Sequence, residues 1–157
     1  MKYRIESRVI TKYSALLILF FFNNIITPKE KEMDNNCFFC KSIKNRDYTL
    51  ENEYAILRFD DFPVNKGHLE IIPKRHVKDW WEATKEERIA IFDLLDEAKI
   101  MVDKKYNPDG YNIGMNLGEV AGQSVMHLHV HLIPRYEGDV QNPRGGVRGV
   151  IPGKKDY

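Results

Sequence analysis

Cysteine is scarce in this chain: two residues among 157, both inside the tetrapeptide Cys37-Phe38-Phe39-Cys40. A small secreted domain held by a disulfide framework needs more of them, further apart, so that class is excluded. An excess of charge of either sign is lacking too. Lysine and arginine number 24 against 23 acidic residues, a net charge of +1, which offers no broad basic surface to a nucleic acid. No apolar run approaches the ~20 residues of a membrane-spanning helix; the stretch Ala15 to Phe22 falls far short. At this length the chain supplies one domain with an ordinary core.

Histidine is also rare, five in all, yet three stand together. In Gly122-Gln123-Ser124-Val125-Met126-His127-Leu128-His129-Val130-His131-Leu132-Ile133-Pro134-Arg135, histidines alternate with apolar residues. Successive side chains of a strand point to opposite faces, so His127, His129 and His131 share one face and Leu128, Val130 and Leu132 the other. Residues i and i+2 lie roughly 6.5 Å apart in Cα, close enough for the imidazoles to act on one ligand. A single strand histidine is commonly half-buried packing. Three in alternation after a Gly-Gln-Ser turn point to a ligand or a metal ion, although no carboxylate or cysteine adjoins them in sequence to complete a metal set.

The rest of the chain supplies a frame. Residues 53–59 read as a strand running into the turn Asp60-Asp61-Phe62-Pro63, and a carboxylate at a strand end can accept both hydroxyls of a ribose. His68 to Ile72 is a second short strand closed by Pro73, followed by a short helical turn over Val77–Trp81. Trp80 and Trp81 are expected in packing. Thr84 to Glu87 forms a capping box. It opens a helix of about 20 residues that ends near Asn107-Pro108. Its apolar stripe combines Arg88, Ile91, Leu95, Ala98 and Val102 with Phe92, Leu94 and Met101. Tyr111 to Gly118 is the next strand, and Gly118 to Gly122 a loop whose N–H groups suit an anionic phosphate. Short strands, one long helix and hairpin-length connections predict an α+β fold, an antiparallel sheet with the helix on one face.

Two blocks carry a resemblance to a known family. Gly122-Gln123-Ser124-Val125 followed by His-x-His-x-His, and upstream Gly67-His68-Leu69-Glu70-Ile71-Ile72-Pro73-Lys74-Arg75-His76, together resemble the signatures of the histidine-triad nucleotide hydrolases and transferases, over about residues 37–136. The resemblance implies a five-stranded antiparallel sheet with one long and one short helix, and a homodimer joined across helices and edge strands. It places His129 as nucleophile with His131, His127 and His68 beside it. Asp60 becomes the ribose acid, and Asn116, Gln123 and Ser124 hold the phosphates. Cys37-x-x-Cys40 has the spacing of half a zinc site; the resemblance implies a structural zinc on Cys37, Cys40, His76 and His127, with a bare thiol pair as the alternative. If zinc is bound, His127 serves the metal and positioning only. No organic cofactor is implied. Family members often carry an aliphatic residue after the ribose acid, where this chain has Asp61.

The implied chemistry is a double displacement. Neutral His129 attacks an α-phosphate, a nucleotidyl-histidine forms, and water releases a nucleoside monophosphate. His131 or Ser124 protonates the leaving group. The expected substrate is a purine nucleotide, an adenine dinucleoside polyphosphate such as diadenosine tetraphosphate, favoured by His131-Leu132-Ile133-Pro134-Arg135-Tyr136 and the basic tail. Nucleoside phosphoramidates, nucleotidyl transfer to phosphate or a sugar, and nucleotide binding without turnover are the alternatives. A cytoplasmic location, with no membrane and no nucleic-acid partner, is expected.

Three segments follow. Residues 1–32 are an extension outside the domain: Lys2, Arg4, Arg8 and Lys12 before an apolar run resemble an export segment. Lys29-Glu30 is also encodable as AAGGAG, a ribosome-binding sequence shortly before Met33, which reads as the start. Residues 33–136 are the histidine-triad domain. Residues 137–157 are a Gly/Pro-rich basic tail with Arg144, Arg148, Lys154 and Lys155, expected as a loosely ordered surface strand or as a flap over the site.

Overall fold

The structure, a computed structural model, describes residues 33–155. The expectations for residues 1–32 lie outside the described residues. Two helices, α1 (Phe38–Asn45) and α2 (Lys85–Tyr106), accompany five strands: β1 (Leu50–Glu51), β2 (Ala55–Phe59), β3 (Leu69–Pro73), β4 (Gly110–Gly114) and β5 (Val130–Arg135). The sheet runs β1-β2-β3-β5-β4, and every pairing is antiparallel. The expected α+β architecture is therefore present.

Period 2 in the central strands assigns each residue to a layer. Ala55 and Leu57 of β2, Leu69 and Ile71 of β3, and Leu128, Val130 and Leu132 at β5 are buried against Ile91, Leu94, Leu95, Ala98 and Val102 of α2. The intervening residues face the other way. Ile56 and Ile72 join Cys37, Phe39 and Cys40 under α1 in a second, smaller core. Further along the same face, Arg58, Glu70 and His131 form one cross-strand row, because Arg58 pairs with Glu70 and Glu70 with His131. Gly114 continues the row opposite His131.

Helix α2 begins as its capping box dictates. Glu87 N–H donates to Thr84 Oγ1 at 3.2 Å and Thr84 N–H to Glu87 Oε2 at 2.8 Å. The Glu87 side chain is buried and also accepts two 2.7 Å bonds from Arg75 Nε and Nη2, which clamps the loop after β3 onto the helix. Asn107 ends the helix in the left-handed conformation. Among the described residues no helix is long and apolar enough to cross a membrane.

Several expectations change. The short helix is α1, not Val77–Trp81, which is a bend and turn held by Asp79 Oδ1 accepting from Trp81 and Glu82 N–H. Trp81 is exposed, while Trp80 packs edge-on against Phe92. Phe92 is itself half exposed, so it lies at the margin of the α2 stripe rather than within it. The ladder of β5 starts only at Val130: upstream, Leu128 N–H is taken by Val77 O (2.7 Å) and His127 O by the His129 ring, so neither is left for strand pairing. The tail is not a strand. Gly146–Val150 is a 3-10 turn beside β4, and Arg135 holds Asp139 with two 2.7 Å bonds where the tail leaves the sheet.

Candidate active site and metal centre

The antiparallel order fixes a direction along the sheet face. β3 runs from Leu69, just after His68, to Pro73, and β5 runs opposite to it, with Leu69 paired to Leu132 and Ile71 to Val130. Asp60, His68 and His131 therefore gather at one end. His129 follows, and His127 lies at the other end beside Pro73.

At the first end, Asp60 follows directly after β2, and its N–H donates to His68 O at 3.1 Å. Asp60 Oδ2 lies 3.4 Å from His68 Nδ1 and 3.8 Å from His131 Nδ1. Val64 N–H donates to His68 Nδ1 (3.3 Å), which assigns the His68 proton to Nε2. That nitrogen is 3.0 Å from His131 Nδ1. His131 Nδ1 is thereby the acceptor, and its own proton stands on Nε2, a donor for an anionic oxygen. Burial lowers the pKa of His68, and it pushes His131 down to about 4, so both are neutral near pH 7.

His129 has the complementary arrangement. Its Nδ1–H donates to the His127 carbonyl at 2.8 Å, which leaves the Nε2 lone pair unprotonated. Burial lowers its pKa too, against the opposing pull of that backbone bond. A cleft of about 390 Å³ brings His129, His131 and His68 together with Asp60, Asn116 and Ser124. An open imidazole lone pair, an N–H donor and a strand-end carboxylate thus share one cavity.

Two expected site residues are placed elsewhere. Gln123 is buried and does not line the cleft. Its Oε1 accepts from Gly118 N–H (2.7 Å) and its Nε2 donates to Lys78 O (2.8 Å), so both ends of the amide brace the loop instead of meeting a phosphate. His127 has no exposure and is also absent from the cleft wall.

His127 belongs to a second cluster. Its Nε2–H donates to Pro73 O at 2.9 Å, which turns the Nδ1 lone pair toward Cys37 Sγ (3.4 Å) and Cys40 Sγ (3.6 Å). His76 Nδ1 lies 3.3 Å from Cys40 Sγ. A tetrahedral zinc with bonds near 2.3 Å to sulfur and 2.0 Å to nitrogen has S···N edges of about 3.5 Å. The four donors fit that figure. Burial, then the neighbouring Cys37, push the Cys40 thiol up to about 11, and burial holds His127 down at about 4, neutral as a ligand must be. In the sheet-face cluster of Asp60, His68 and His131 the two rings are joined to one another, His68 Nε2 to His131 Nδ1 at 3.0 Å.

Arg58, Glu70, Phe38, Phe39 and Val125 line the cleft and were not anticipated. A signal was present. Arg58 and Glu70 are single charges inside otherwise apolar strand runs, at positions the period-2 pattern assigns to the histidine face. Both are buried; Glu70 lies 3.5 Å from Arg58 Nη1, and burial raises its carboxyl to about 7.

Comparison with known proteins gives a consistent set. A family model described as HIT domain matches residues 42–138. An uncharacterized HIT-like protein of Mycoplasma genitalium is 36% identical over 111 residues, 69% of this chain and 79% of that protein. AP-4-A phosphorylase of Mycobacterium tuberculosis is 38% identical over 87 residues, 55% of this chain but only 44% of that protein. Among solved structures, a HIT family protein from Bacillus anthracis has 38% identity and a TM-score of 0.63, covering 67% of this chain and 77% of that one. A Zn-bound histidine triad family protein from Mycobacterium smegmatis has 28% identity and a TM-score of 0.61, covering 68% of this chain and 80% of that one.

Proposed function

The chain belongs to the HIT-domain (histidine-triad) family, and from that premise we propose that it is a nucleotide hydrolase cleaving at the α-phosphate of a dinucleoside polyphosphate of the diadenosine tetraphosphate kind. The observation that carries this is the His129 ring: Nδ1–H is committed to the His127 carbonyl, so the Nε2 lone pair is the free nucleophile. That nitrogen forms a bond to the α-phosphorus while the bond to the bridging oxygen breaks. The His131 Nε2–H steadies the phosphoryl oxygens, and the leaving oxygen takes a proton from Ser124 or His131. Water then attacks the phosphorus, the P–N bond breaks, and a nucleoside monophosphate departs. Asp60 accepts the ribose hydroxyls and Asn116 a phosphate contact. The AP-4-A phosphorylase relative supports the dinucleoside class and leaves phosphate as a rival acceptor to water.

Zinc is assigned to Cys37, Cys40, His76 and His127, and its contribution there is structural. When bound it would tie the start of α1 to the loop after β3 and to the segment ahead of β5, and His127 holds the orientation of His129 through its carbonyl. Residues 33–136 form the catalytic domain, 137–157 a tail outside it, and 1–32 an extension. A cytoplasmic homodimer is part of the same proposal. The exposed Ile89, Phe92 and Ile100 of α2, with half-exposed Ile113 on the edge strand β4, supply apolar surface for it, and light scattering on the purified chain tests it.

The deciding experiment incubates the chain and its His129→Ala variant with diadenosine tetraphosphate, with and without phosphate, and separately with adenosine phosphoramidate. Release of AMP from the tetraphosphate by the wild type alone supports the hydrolase. ADP in place of AMP, formed only with phosphate, makes it a phosphorylase; turnover of the phosphoramidate alone makes it a phosphoramidase. Binding without turnover leaves a nucleotide-binding module.

A further inference from the structure

A second cleft, of about 480 Å³, adjoins the first and shares Phe38, Ser124 and Val125 with it. Its remaining walls are Asp34, Asn36, Cys37, His76, Lys78 and Met126. The direction of the strands places it. Asp60 stands at the His68–His131 end of the sheet face, whereas His76 and Cys37 gather round His127 at the opposite end, two steps of i, i+2 further on and so roughly 13 Å away. Ser124 lines both clefts, so a nucleotide with its ribose at Asp60 and its α-phosphate at His129 would have the second cleft as its neighbour.

We propose that this second cleft is the subsite for the leaving group, and that it takes a phosphate-bearing one. The inference rests on the hydrolase proposal above and extends it to substrate class. Lys78 gives the cleft a cation on an exposed, unclamped stem, and Asn36 gives an amide donor. Helix α1 begins at Cys37 with no side chain capping it, so its first-turn N–H groups add positive potential on the same wall. Of the two carboxylates nearby, Asp34 on the wall has Oδ1 occupied by Asn36 N–H at 2.8 Å, and Glu82 Oε2 accepts from Lys78 N–H at 3.2 Å. The Lys78 backbone is itself anchored: its carbonyl accepts from Gln123 Nε2 in the loop that carries Ser124, so Lys78 and Ser124 keep a fixed spacing. Each cleft has the volume of a small-molecule site, about 300–1,000 Å³. Two adjoining clefts suit a dinucleotide with a phosphate chain, whose negative charge Lys78 would face.

The test uses the full chain as wild type, Lys78→Glu and Lys78→Arg. Steady-state constants are measured for diadenosine tetraphosphate and adenosine phosphoramidate. Calorimetry gives the affinities for AMP and for a methylene-bridged, uncleavable tetraphosphate analogue. Lys78→Glu raises KM for the tetraphosphate and Kd for its analogue by about tenfold, the weight of one charged contact. The phosphoramidate and AMP stay within about twofold, as for a remote surface change, and Lys78→Arg restores the wild-type values. An equal effect on all four ligands, or none on the tetraphosphate pair, overturns the subsite. If the wild type binds nucleotides without cleaving them, hydrolysis fails while the two affinities still decide the subsite. If it binds none, both fail.

Discussion

His127 Nε2 lies 2.9 Å from the carbonyl oxygen of Pro73, and this one bond divides the histidine run into two devices. With Nε2 committed to the backbone, Nδ1 faces two thiols and His127 lies outside the cleft that His129 lines. His129, two residues on, has the opposite arrangement: Nδ1 is committed and Nε2 is open. The three alternating histidines therefore do not act as three equivalent groups.

Zinc content follows from the first device. The protein is expected to carry one zinc, and Cys40→Ser is expected to lose it and to lower Tm by about 5–10 °C, since structural metal binding is folding free energy. Elemental analysis and melts with and without a chelator check this. A protein that holds no zinc and melts identically with chelator has a thiol pair there instead.

In the proposed hydrolase, His129 is expected to set the acid side of the pH profile. The reaction needs the neutral ring, and burial lowers its pKa below 6.5, so kcat/KM rises with pH along a limb centred below 6.5 and is flat above it until another group titrates. His129→Ala is expected to lose about a thousandfold or more. A limb centred above pH 7 means that the ring is not the group whose deprotonation limits the rate.

Much of this was legible in residue order. Alternation at 127–132 separated the core side from the cleft side, and the Thr84–Glu87 spacing located the start of α2. Three features were not. Helix α1 is short and closed by Arg46 in the left-handed conformation, a residue with no turn propensity to announce it. Gln123 stands where a phosphate donor is expected, yet its amide is consumed by Gly118 and Lys78, partners that only the folded loop supplies. Glu87 was read as a helix cap, and its burial depends on Arg75, twelve residues upstream. Patterns local in sequence were readable; long-range competition for hydrogen bonds was not.

That Arg75–Glu87 clamp gives a stability prediction. Glu87 is 4% exposed, accepts two bonds from Arg75 and caps Thr84, so Glu87→Ala removes a buried partner and half a capping box at once. A loss of about 3–5 kcal/mol in urea unfolding is expected. Because Arg75 precedes His76, zinc affinity should weaken as well. A loss below about 1 kcal/mol, the range of surface pairs, contradicts the clamp.

Glu70 supplies a prediction of opposite sign. Its carboxyl is buried beside Asp60, with Arg58 the opposing influence, and its folded pKa of about 7 exceeds the ordinary 4.5. Between those values the folded chain binds more protons than the unfolded one, so this group makes stability fall as pH rises from about 4.5 to 7. A shift of that size corresponds to about 3 kcal/mol as an upper bound. Glu70→Gln keeps the shape and cannot ionise, while Arg58 retains Asp61 at 2.7 Å and Asp47 at 3.7 Å. The variant is therefore expected to match the wild type in urea unfolding at pH 4.5 and to exceed it by about 1–3 kcal/mol at pH 8. Equal differences at both pH values, or a variant weaker at pH 8, would mean that Arg58 stabilises the Glu70 carboxylate by more than its burial costs.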